Sequence, residues 1–206
     1  MKKVMFFISA FIVMLVSACN SGNDSSKKDD MSEMNMEGSK DTMAGNATPM
    51  KEITPTFANV DPKLGSSLKT VVDHYLHVKN ALVNNDEKEA ANGAGAMYDA
   101  MGRIDKSLFT ADQKKVYDAV EDDLKEHAEH ISESKIDHQR EHFSMMSEDI
   151  YEIVKSFGGG RTLYHDHCPM ANDNKGAMWL SETKEIKNPY FGGKMAECVK
   201  VPEVIK

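Results

Sequence analysis

Ile131-Ser132-Glu133-Ser134-Lys135-Ile136 lies between two apolar stripes that do not fit one helix. Before it, Val116, Val120, Leu124 and Ile131 recur at helical spacing behind Thr110 and Gln113, residue types that form a capping box. After it, Ile136, Phe143, Met146, Ile150, Val154 and Phe157 recur in the same way until Gly158-Gly159-Gly160, which stop a helix. Continued as a single helix, the second stripe would sit about 100 degrees around from the first. A break within Ser132–Lys135 is therefore expected, and the two segments fold back on each other.

Two further helices are expected upstream. Asp61-Pro62 offers an N-cap followed by proline at the first helical position, ahead of Leu64, Leu68, Val71, Tyr75 and Leu82 on one face. Asp86 with Glu89 resembles a capping box, ahead of Ala90, Ala94, Met97, Met101 and Ile104. Gly93 and Gly95 weaken that helix but allow a close helix approach. Short loops between neighbours predict an all-α fold, an up-down four-helix bundle over residues 59–157. Residues 158–206, rich in Gly, Asn and Pro, are expected to form an irregular Cys/His/Met tail packed on it.

That tail concentrates the chemistry. Tyr164-His165-Asp166-His167-Cys168-Pro169-Met170 is answered by Met195-Ala196-Glu197-Cys198. Thiolate, imidazole and thioether are soft or borderline donors, so Cys168, Met170, His165, His167, Met195 and Cys198 are candidate ligands for Cu(I), with Ag(I) or Zn(II) as further fits. A Cys168–Cys198 disulfide competes with that reading. It would close a loop of about thirty residues and stabilise it by roughly 3–4 kcal/mol.

The N-terminus reads as an address. Lys2 and Lys3, the apolar run Val4–Val16 and Val16-Ser17-Ala18-Cys19 look like a lipoprotein signal peptide of residues 1–18. Cys19 would then be the lipidated first residue, anchoring the chain in the cell envelope, with Asn20 favouring the outer membrane over the inner. Such a compartment is oxidising, which keeps both readings of the cysteines open. Residues 19–58 have the composition of a disordered tether. Met31, Met34 and Met36, followed by Met43 and Met50, recur there without a core to fill, as a soft-metal lure would.

Of the 206 residues, 28% are charged, and the net charge is −8, so a nucleic-acid partner is not expected. His127 with His130, and His138 with His142, have i,i+3 and i,i+4 spacing that places each pair on one helix face. Met145 shares the side of His138 and His142, which adds those two histidines to the candidate metal ligands. His74 and His77 read as surface residues. No Gly-x-Ser-x-Gly, phosphate loop or His-Glu-x-x-His is present, so no enzyme is expected.

Three runs carry a family resemblance: Cys168-Pro169-Met170-Ala171-Asn172, Gly176-Ala177-Met178-Trp179-Leu180-Ser181 and Asn188-Pro189-Tyr190-Phe191-Gly192. With Glu126–Ile131 and Gln139–Phe143, they resemble the bacterial domain of unknown function 3347 family over most of residues 60–200. The resemblance implies a lipoprotein, or a domain of the kind attached to periplasmic adaptors of heavy-metal efflux pumps. It therefore implies copper or silver handling beside such a complex. Cys168-Pro169-Met170 also resembles the core of a short heavy-metal-binding module, although here no histidine follows Met170. Cys198-Val199 stands where the family has Cys-Gly.

The function expected is a lipid-anchored binding protein for copper or a similar soft metal, accessory to efflux or tolerance. The alternative of another class is an interaction lipoprotein with a docking bundle and a disulfide-stapled tail. On the metal reading, Cys168→Ser, Met170→Leu and Cys198→Ser each lower Cu(I) affinity in a competitive titration of the reduced protein.

Overall fold

The computed structural model describes residues 50–195, Glu197 and residues 199–206. Cys19, Met31, Met34, Met36 and Cys198 lie outside them. Helices α1 (Pro62–Val83), α2 (Glu87–Gly102), α3 (Ala111–Asp118), α4 (Glu121–Glu133) and α5 (Ile136–Phe157) are joined in chain order, with a 3-10 turn at Lys106–Leu108. Helix α1 packs on α2, α2 on α4 and α4 on α5.

Most helix starts follow from local chemistry. The Asp61 carboxylate accepts from Lys63 N at 2.8 Å and Leu64 N at 3.2 Å, and Asp86 accepts from Glu89 N at 3.0 Å. Thr110 and Gln113 form a reciprocal capping box with bonds of 3.0 and 3.3 Å. Gly158, at φ 82, ends α5. At Gly93 an added Cβ would lie 3.1 Å from Val78, so this glycine does set the α1–α2 approach, whereas Gly95 faces open space.

The expectation of an all-α, up-down four-helix bundle is overturned. A four-stranded mixed sheet, in the order β1-β4-β2-β3, stands beside the helices. Its strands are β1 (Lys51–Ile53), β2 (Leu163–Cys168), β3 (Ala177–Ser181) and β4 (Lys200–Ile205). The third expected helix is also two, because the chain turns between Asp118 and Glu121.

The strands hid for separate reasons. All five residues of β3 are buried, so the run Ala-Met-Trp-Leu-Ser shows no alternation. Strand β4 contains Pro202, which cannot donate to a ladder and argues against a central strand. The sheet accommodates it with a register shift: His165 pairs with Glu203 but His167 with Lys200, which leaves extra residues on β4 opposite Asp166. Strand β1 lies within the stretch read as tether and pairs in parallel with β4.

Helices and sheet share one core, from Leu64 and Leu68 on α1 through Phe143 and Ile150 on α5 to Trp179 and Ile205 on the sheet. The Tyr75 hydroxyl pins the layers together. It lies 2.9 Å from Ser147 Oγ on α5 and accepts from Leu180 N on β3 at 3.0 Å. No described helix is long and apolar enough to cross a membrane.

The α4–α5 corner is held by two side chains. Gln139, fully buried, donates through Nε2 to Ile131 O at the end of α4 and to Glu87 O on α2, both at 3.0 Å. The Glu87 carboxylate accepts from Ile136 N at 3.2 Å and Lys135 Nζ at 2.8 Å, which serves the uncapped start of α5. Gln139→Leu leaves two carbonyls without that donor and is expected to destabilise the fold by about 1–3 kcal/mol, as lost hydrogen bonds to buried groups do. Urea unfolding followed by the fluorescence of the single tryptophan, Trp179, measures it.

Candidate metal centre

The corner at Ser134-Lys135 lays α5 back along α4, and the two histidine pairs meet across it. One ligand atom from each of His130, His138 and His142 lies within 4.8 Å of the others. His142 Nε2 is 3.1 Å from His138 Nε2, and His142 Nδ1 is 3.1 Å from His127 Nδ1. The His130 ring stacks on that of His142, with centroids 4.2 Å apart and planes 5° off parallel.

Burial grades the cluster. His142 is 8% exposed, His127 is half-buried, and His130 and His138 are open to solvent. Burial lowers the pKa of His142 to about 4, helped by its neighbours His130, His138 and His127. His127 is lowered as well, again chiefly by burial. Both rings are neutral at physiological pH, the form in which imidazole binds metals.

Glu141 orients the edge of the cluster. His138 Nδ1 lies 2.7 Å from Glu141 Oε2. A carboxylate only accepts, so Nδ1 carries a proton, and in the neutral ring Nε2 turns a lone pair toward His142. This is the carboxylate–histidine pairing that backs metal ligands. His130 Nε2 has Glu126 at 3.9 Å.

The C-terminal segment is arranged differently. Cys168 is fully buried in the shared core. His165 is half-buried, with Nδ1 3.3 Å from Glu203 Oε2 and its ring against Tyr151. His167 is half-buried where Gly176, at φ 88, passes close to its Nε2. Met170 is 42% exposed and walls a cavity of about 310 Å³ with Glu141, Ser144 and Tyr190. Met195 is half-buried at φ 58. Among the described residues, the three-histidine group on α4 and α5 is the one cluster with metal-ligand spacing. It includes His138 and His142 and adds His130, whose i,i+3 partner His127 also joins. The pairs were legible as helical spacing; their meeting across two helices was not.

Alternation along β2 puts Asp166 opposite His165 and His167, and its carboxylate is buried with no hydrogen-bond partner. It sits across from Trp179 in the β2–β3 register. Nearby, Lys79 and Glu182 form a largely buried ion pair at 2.9 Å. Burial raises the Asp166 pKa to about 7, against the opposing pull of Lys79.

Residues 71–162 match the model of a family described as "Protein of unknown function (DUF3347)". Over that stretch, somewhat under half of the chain, the sequence is similar to that family. Searches of curated proteins and of solved structures give no match. The DUF3347 match runs from within α1 to the turn before β2, so it contains all four clustered histidines and ends before the strands of the C-terminal segment.

The Asp166 shift has a sign that can be measured. The folded protein keeps the proton up to about pH 7, while the unfolded chain releases it near 3.8. Across that window the native state binds more protons, so this group's contribution to stability falls as pH rises. Asp166→Asn removes that slope, and the difference between wild-type and variant unfolding free energies measured across the window reads it.

Proposed function

We propose that this protein captures a late transition-metal ion, copper above the others, on the imidazole cluster between α4 and α5. The observation that carries the reading is the aim of His138: Glu141 holds its Nδ1 proton while Nε2 points at His142 Nε2, 3.1 Å away. Imidazole nitrogens suit Cu, Zn and Ni, and copper binds tightest of the divalent first-row ions. An imidazole set moves the favoured species from the Cu(I) or Ag(I) suggested by the thioethers toward Cu(II), which an oxidising compartment supplies.

In this reading Cys19 anchors the chain to the envelope membrane. The partner is a heavy-metal efflux complex, as the family resemblance implies. The role is binding and transfer, with no bond of a substrate made or broken. Acidic residues around the cluster, Glu126, Glu141 and Asp123 among them, favour a cation over an anion there.

Removing a carboxylate that orients a metal-bound histidine typically weakens binding about 10–100-fold. Glu141→Ala is expected to lower Cu(II) affinity by that factor in a competitive titration. His138→Ala and His142→Ala should lower it further, while Met170→Leu leaves it unchanged. Parent-like affinity in Glu141→Ala and His138→Ala would remove the cluster as the site.

A further inference from the structure

We propose that the cluster holds two metal ions bridged by the single imidazole of His142; this rests on the metal-binding reading above and adds the number of ions and their coupling. His142 is the member whose two ring nitrogens both face other histidines of the cluster. Nδ1 faces His127 Nδ1 and Nε2 faces His138 Nε2, each at 3.1 Å. Two nitrogens bound to one ion at about 2.0–2.1 Å stand about 3.0–3.4 Å apart, depending on the angle between them. Each pair therefore has the spacing of one edge of a coordination shell. The two nitrogens of an imidazole point away from each other, so one ion cannot occupy both edges.

The proton pattern leads to the same count. In the neutral ring Glu141 fixes the His138 proton on Nδ1, which leaves His138 Nε2 as an acceptor. His142 must then donate from Nε2, and a neutral ring has no second proton to give. Its Nδ1 therefore accepts from His127 Nδ1–H. The metal-free cluster is a relay from His127 through His142 to His138 and Glu141, and two of its hydrogen bonds join ring nitrogens. Each of those two bonds is a place where a metal ion substitutes for a proton.

The outer ion takes His142 Nε2, His138 Nε2 and His130. The inner ion takes His142 Nδ1 and His127 Nδ1. The charge of Asp123 acts both on His127 and on Asp149 of α5. On loading, the outer ion forms a bond to Nε2 and the proton there leaves to solvent, making His142 an imidazolate. The inner ion bonds to Nδ1 of His142 and of His127, whose proton moves to its Nε2 through solvent. Nothing is oxidised or reduced, and one proton is released at the bridge.

The test is electron paramagnetic resonance during Cu(II) titration of the metal-free full chain, with thiols blocked by alkylation. The first equivalent gives a normal monomeric Cu(II) spectrum. The second equivalent binds, and the integrated intensity falls below that of the one-equivalent sample, because an imidazolate couples the two spins antiferromagnetically. His127→Ala and His138→Ala each bind one equivalent with full, uncoupled intensity. Saturation of the wild type at one equivalent, or two equivalents with the intensity of two independent spins, overturns the bridge while leaving metal binding in place. No Cu(II) bound at all overturns both readings. Because the wild-type titration decides the matter alone, a variant that fails to fold does not weaken the test.

Discussion

Two side chains at one corner hold the geometry on which the site depends. Where α4 ends and α5 begins, backbone carbonyls and amides lose their helical partners, and burial makes unpaired groups costly. The Gln139 amide bonds Ile131 O and Glu87 O, and the Glu87 carboxylate bonds Ile136 N and Lys135 Nζ. Three helices are thereby tied at one point. With the corner fixed, the i,i+3 pair on α4 and the i,i+4 pair on α5 must face each other, and His127 Nδ1 comes within 3.1 Å of His142 Nδ1.

The sheet depends on the helices in turn. Strand β3 is an edge strand with every residue buried, covered by α1, α5 and the Pro189–Phe191 turn, so its edge is not left open to other chains. Tyr75 bonds both α5 and β3, and the Tyr190 hydroxyl donates to Met178 O at 2.7 Å. Lys79, Glu182 and Asp166 put charge and protonation under this layer. A buried pair loses solvation that its mutual attraction only partly restores, which makes this polar patch a determinant of how the sheet seats more than a source of stability.

The histidine cluster shows the opposite balance. Desolvation and the proximity of the other imidazoles disfavour protonation, so His142 and His127 stay neutral, the form that a metal ion can bind. Holding such rings together without a metal costs side-chain entropy and solvation. Stacking of His130 on His142 and the His138–Glu141 bond offset part of that cost.

The sequence by itself determined the helices apart from the turn that divides α3 from α4: Asp61, Asp86 and Thr110 cap them through contacts two or three residues away, and their apolar stripes repeat within each segment. It also placed each histidine pair on one helix face, because i,i+3 and i,i+4 spacing is a local property. Only the tertiary structure decided the sheet. Strand β3 is buried on both faces and has no alternation, β4 carries Pro202 in a register shift, and β1 is three residues paired with a strand about 150 positions away. Likewise only the fold decided that the histidine pairs converge and that Cys168 faces the core. Those outcomes depend on which surfaces meet, and non-local packing leaves no periodic mark on the chain.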